Sequence, residues 1–96
     1  LLTIVNTINF KPSYNKKKIK DYTLSNRLKN IGNNIRNLRK KKQITQIDLA
    51  VMIGIDRAYL SEIENGRTNV SLNVLYAIAD ALNTNITCFF NENRQD

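Results

Sequence analysis

Arg57 and Arg67 bracket the stretch "RAYLSEIENGR", and they are cations in a half of the chain that is otherwise acidic. Residues 45–96 hold one other basic residue, Arg94, against seven acids, whereas residues 1–44 hold twelve Lys or Arg against Asp21 alone. A cation in the acidic half therefore carries more information than another lysine in the basic half. A guanidinium is a planar fork that donates two parallel hydrogen bonds, which suits paired acceptors and anionic oxygens. The overall charge of +7 and pI near 9.8 favour a polyanionic partner. The question is what holds the two forks in place.

Leu24, Leu28, Ile31, Ile35 and Leu38 recur at spacings of four and three, the stripe of an amphipathic helix over about 24–42. Its last turn, "RKKK", puts cations at the negative end of the helix dipole, and Gly32 within it predicts close approach of another helix. Thr45 is suited to cap a second helix over 46–53, with Asp48 three positions on and Gly54 just past its end. Asp56 is expected to cap a third over 57–65, with Leu60 and Ile63 inward and Gly66 closing it. Ser71 caps a fourth containing Leu72, Leu75, Ile78, Ala79 and Leu82, and Asn85 a final short one with Ile86, Phe89 and Phe90. The expected class is all-α with five helices.

Helices two and three meet at "GID", a corner tight enough to hold the later helix proud of the surface, where it fits the major groove of DNA. Arg57, at the exposed start of that helix, has the reach to donate to O6 and N7 of guanine, worth about 1–3 kcal/mol of discrimination. Arg67, beyond the helix, faces the phosphate wall, where a cation positions and does not specify.

The remainder of the chain sets limits. With 96 residues, 42% of them apolar, one small packed domain is expected. "LLTIVNTINF" alternates apolar positions like a short strand but has no nearby partner strand, and "KPSYNKKKIKDYT" reads as a basic linker. Residues 1–23 are thus an extended or disordered extension and linker, 24–91 the domain, and 92–96 a tail. The chain begins at Leu1 and its only methionine is Met52, marking a fragment or a non-methionine start. Cys88 is the sole cysteine, expected to be an inert packing residue, and there is no histidine. No internal disulfide, His-based metal site or catalytic triad can form. No phosphate-cradling glycine loop or supported acid pair is visible, so no cofactor, no metal and no enzymatic activity are expected. No apolar run approaches the roughly 18 residues of a membrane span, so a cytoplasmic location is expected, and the sequons at Asn69 and Asn85 carry no meaning there.

In order and spacing, "IR..R", "TQ..LA", "Y.S.IE.G" and "SL..L..IA.AL" resemble the lambda-repressor-like helix-turn-helix domain of the XRE family over residues 31–90. "DRAYLSEIENG" followed by "NVSL" looks most like the controller proteins of restriction–modification systems. The resemblance implies a DNA-binding transcriptional regulator acting as a homodimer. It implies that Arg57, Ala58, Tyr59 and Glu62 face base edges, and that Thr45, Gln46, Asn65, Arg67, Thr68 and Asn69 lie along phosphates. It also implies a buried pair, Arg39 with Glu64, tying helix one to helix three. Ile86, Phe89 and Phe90 are the expected dimer contacts, with Phe89 and Phe90 also expected to complete the core, and RNA polymerase is a further candidate partner at a promoter.

The chain departs from the family pattern at Gln43, where glycine is usual, and at Thr84, usually apolar. It also departs at Ile47, Val51 and Met52, usually polar, which are expected to form an exposed apolar patch. That patch keeps a second reading open: a phage-type repressor or antitoxin-like module whose main partner is another protein.

Overall fold

The computed structural model describes residues 24–92; the strand reading of residues 1–10 and the basic run over 11–20 lie outside the described residues, as do residues 93–96. Among the described residues five helical elements follow in order. They are α1 (Ser25–Lys41), α2 (Gln46–Ile53), α3 (Arg57–Glu64), α4 (Leu72–Ala81) and a closing 3-10 helix (Ile86–Phe90). The expected fifth α-helix is thus a 3-10 helix. It is only five residues long, and such short pieces commonly adopt the tighter winding.

The stripe on α1 turns Ile35 inward to meet Leu49 of α2, Leu60 and Ile63 of α3, and Leu75 and Ile78 of α4, all essentially without solvent contact. Phe89 completes this core. Expected at a dimer interface, Phe89 is 0% exposed within its own domain and has no surface left to offer, whereas its neighbour Phe90 is exposed. Asn34 Nδ2 on α1 donates to the Phe89 and Asn91 carbonyls at 2.9 and 2.7 Å, which fastens the chain end across α1.

The starts of the helices follow the sequence with one exception. The Thr45 hydroxyl accepts from the Asp48 amide at 3.0 Å, Ser71 Oγ from Val74 at 3.2 Å, and Asn85 Oδ1 from Thr87 at 3.0 Å. Asp56 has cap geometry but its carboxylate makes no capping bond, so the first N–H groups of α3 are left without a side-chain cap. Cys88 also differs from expectation: it is exposed, contacted at 3.4 Å by the Thr84 hydroxyl, because the 3-10 helix points Phe89 and not its neighbour into the core.

The helices α1 to α4 end alike, in a turn whose next residue is left-handed: Gln43 (φ 61°), Gly54 (φ 74°), Gly66 (φ 69°) and Asn83 (φ 52°). After α1, Gln43 N–H donates to the Lys40 carbonyl at 2.9 Å and Ile44 N–H to the Arg39 carbonyl at 3.1 Å, satisfying two orphan acceptors. Left-handed backbone strains a residue bearing a Cβ. Gln43→Gly is therefore expected to stabilise the domain by about 0.5–1 kcal/mol. In a thermal melt that is a rise of about 2–8 °C. An unchanged or lower melting temperature would show that the turn is relaxed as it stands.

Candidate nucleic-acid interface

The corner between α2 and α3 is three residues, Gly54, Ile55 and Asp56, closed by Ile55 N–H donating to the Ala50 carbonyl at 3.0 Å. It sets α3 with Leu60, Ile63 and Glu64 inward. Arg57 and Ala58 are exposed on the opposite side, Ser61 and Glu62 are half-buried beside them, and Tyr59 packs partly against the core. Gln46, Arg57, Ala58 and Ser61 line a shallow recess of about 310 Å³ between the start of α2 and α3. Among the described residues Arg57 has no hydrogen-bond or ion-pair partner, so its fork is free to meet an external acceptor. Arg67 differs: its Nη1 lies 3.7 Å from Glu62 Oε1, an exposed pair spanning the Gly66 turn. That pairing offsets the repulsion an acid at Glu62 would exert on phosphates, although exposed pairs add only about 0–1 kcal/mol to stability.

Beneath this surface lies a charged network centred on Glu64, which is 1% exposed. Arg39 Nε donates to its Oε2 at 2.7 Å and Arg39 Nη2 to its Oε1 at 3.0 Å, a bidentate pair joining α1 to the end of α3. Gln46 Nε2 donates to the same Oε1 at 3.0 Å, bringing in the first residue of α2. Arg36 Nε lies 3.5 Å away. Burial opposes ionisation of Glu64; the hydrogen bonds from Arg39 and Gln46, with the charges of Arg39 and Arg36, outweigh it and hold its carboxyl below the usual value of 4.5. One carboxylate thus locks three helices in register.

The residues expected along phosphates separate into two groups. Gln46 has one amide hydrogen still available, the Thr45 hydroxyl can still donate, and Arg67 and Asn69 are exposed, with Thr68 half-buried between them. Asn65 is different. Its Nδ2 donates to the Ser61 carbonyl at 2.9 Å and lies 3.4 Å from Ser61 Oγ, while its Oδ1 accepts from Arg36 Nη2 at 2.8 Å. Its carboxamide is spent inside the protein and leaves no donor for DNA. Two residues here were not foreseen. Arg36 is the first arginine of "IR..R" and stands three positions before Arg39, on the same helix face; Ser61 is four positions after Arg57, on the same face of α3. Both spacings are legible in the sequence.

A family model described as helix-turn-helix matches residues 35–87, which run from the middle of α1 through α2, α3 and α4 into the 3-10 helix. The chain belongs to the helix-turn-helix family. Within it, the chain is of the XRE type, and it resembles the controllers of restriction–modification systems. The control protein C.MunI of Mycoplasma sp is 40% identical over 62 residues, covering 64% of this chain and 84% of that protein. The immunity repressor of Bacillus phage phi105 is 37% identical over 62 residues, covering 65% of this chain but only 43% of the repressor. This helix-turn-helix chain therefore spans less than half of that repressor. Among solved structures, the controller C.Esp1396I, a tetramer in complex with its natural 35 base-pair operator, superposes with a TM-score of 0.60 at 33% identity. The match covers 66% of this chain and 83% of that one. Among the described residues no helix is long and apolar enough to cross a membrane, and no cluster of His, Cys, Asp or Glu fits a metal ion.

Proposed function

We propose that the chain reads a specific DNA sequence as a homodimer, one α3 entering each of two successive major grooves about 34 Å apart. In this reading it is a restriction–modification controller acting in the cytoplasm on its own promoter. The observation that carries the proposal is the state of α3: one face is anchored by the Glu64 network, and the other offers the free fork of Arg57 beside Ala58, Ser61 and Glu62. Arg57 donates to guanine, Ala58 and Tyr59 give apolar contact, and Glu62 accepts from cytosine N4. Thr45, Gln46, Arg67, Thr68 and Asn69 bind the backbone. Ile86 and the exposed Phe90 supply the dimer contact. Residues 24–91 are the working unit, with residues 1–23 and 92–96 appended to it.

The test is a fluorescence anisotropy titration, at about 0.15 M salt, of the duplex immediately upstream of the chain's own gene against a scrambled duplex. Specific binding exceeds non-specific binding by about a thousandfold or more in proteins of this kind. Arg57→Ala is expected to lose about ten- to a hundredfold on the upstream duplex while keeping its weak, salt-sensitive grip on the scrambled one. Equal losses on both duplexes would remove Arg57 from base reading.

One observation favours a second reading. Ile47, Val51 and Met52 on α2 are 56%, 75% and 55% exposed, an apolar face suited to a protein partner. RNA polymerase at an adjacent promoter would make the chain an activator, whereas a toxin would make it antitoxin-like. Val51→Lys separates these roles from DNA binding, since it leaves α3 untouched.

A further inference from the structure

The Glu64 network contains a second cation beside the bidentate partner of its carboxylate. Arg39 neutralises Glu64 with two hydrogen bonds and is itself only 7% exposed. Arg36 adds a second positive charge to the same carboxylate, but at 3.5 Å, and its side chain is 28% exposed. Its hydrogen bond goes elsewhere, from Nη2 to Asn65 Oδ1 at 2.8 Å. Asn65 is the residue at which α3 ends, and its amide reaches back to Ser61, on the DNA-facing side of the helix. Immediately after it Gly66 turns the chain left-handed, and Arg67 N–H donates to the Glu62 carbonyl at 3.0 Å.

We propose that Arg36 is a positioning residue: from the rigid α1 it orients the Asn65 carboxamide, and through it the exit turn that aims Arg67, Thr68 and Asn69. The inference rests on the DNA reading above and deepens it, because it gives the phosphate-facing loop a support separate from the pair that holds the fold together. A neutralising role alone does not account for the geometry. Arg39 already fills that role, and a fork reaching from one residue to the next across the end of α3 fixes direction where a single point charge cannot. Arg36 thereby acts on all duplexes alike, since the loop it orients faces phosphates and not bases.

The variants are Arg36→Met, Asn65→Ala, the two combined, and Arg36→Lys, each melted first. Arg36→Met is expected to stay folded because Arg39 and Gln46 still satisfy Glu64. The first readout uses free protein: the Gly66 and Arg67 amides should exchange about tenfold faster in Arg36→Met, with the Leu82 amide unchanged. The second is affinity for the upstream and scrambled duplexes over a salt series. Arg36→Met should lose about tenfold on both, with the preference between them intact and the salt slope lower by up to about one as Arg67 loses its phosphate. Asn65→Ala should add little to that loss, and Arg36→Lys, lacking the fork, should not restore it. Unchanged exchange in the turn, or fully additive losses in the double variant, overturns the assignment. A salt slope that falls further in Arg36→Met combined with Arg67→Ala than in Arg67→Ala alone does so too, because it would mean that Arg36 touches a phosphate itself. Should the wild-type chain bind no duplex, the DNA reading falls, and the exchange result still decides what Arg36 does.

Discussion

Glu64→Gln is expected to cost about 3–5 kcal/mol of folding stability, because it removes the one negative charge that, among the described residues, pairs with Arg39 and Arg36, while leaving both guanidiniums where they are. A single core in a domain this small supplies only about 3–5 kcal/mol in total. The variant should therefore be largely unfolded at room temperature, and it will score as a loss of DNA binding for that reason alone. Circular dichroism separates the causes: Arg57→Ala keeps full helical signal and Glu64→Gln does not. A Glu64→Gln domain that melts within about 1 kcal/mol of wild type would mean that the buried ion pair is not what joins α1 to α3.

The same carboxyl gives a dependence on pH whose sign follows from its depressed folded value. In the unfolded chain Glu64 takes up its proton near 4.5, and in the folded domain only at lower pH. Between those two values the unfolded state binds more protons, so stability falls with acid across that window. Above the ordinary value the full contribution is present. Wild type should lose stability as the pH drops below 4.5, and Glu64→Gln, held folded by a stabilising osmolyte such as TMAO in both samples and having no such proton to take up, should show a shallower acid limb. Parallel acid limbs would place the acid sensitivity in other carboxylates.

Much of this was readable from residue types and spacing, and the exceptions have identifiable causes. Thr45, Ser71 and Asn85 stand where their side chains cap, because a short polar side chain before an apolar period has few other uses. Gly54 and Gly66 announce their left-handed turns; Gln43 and Asn83 adopt the same turn without announcing it, since packing and two backbone hydrogen bonds after α1 and α4 override local preference. The 3-10 winding of the closing helix and the outward facing of Cys88 depend on how α1 receives Phe89, a contact between residues far apart in sequence. Asn65 misled because its polarity suits a phosphate contact. Only the positions of Arg36 and Ser61, brought beside it by tertiary packing, reveal that its carboxamide is already engaged.

Gly32→Ala is the other change expected to be severe, and the reason is a competition of two effects. On an exposed helix face, replacing glycine with alanine gains about 1 kcal/mol. At Gly32 the added Cβ would lie 2.5 Å from the carbonyl oxygens of both Ile63 and Glu64 and 2.7 Å from the Glu64 carbonyl carbon. These are backbone atoms at the end of α3, so no side chain can rotate away and the two helices must part. Overpacking of this kind costs about 1–3 kcal/mol, occasionally more, which cancels the propensity gain and leaves a net loss. The loss does not stop at sterics. Moving the end of α3 off α1 stretches the Arg39–Glu64 bonds of 2.7 and 3.0 Å that depend on that approach. Gly32→Ala and Glu64→Gln should therefore be strongly non-additive, the pair costing less than the two single losses combined. Chemical denaturation of the four species, each first refolded in a stabilising osmolyte such as TMAO, measures this coupling, with Asn37→Ala on the exposed face of α1 as the propensity control. Gly32→Ala matching Asn37→Ala in stability would show that α1 and α3 do not meet at Gly32, and the close approach that seats Glu64 between them would fall with it.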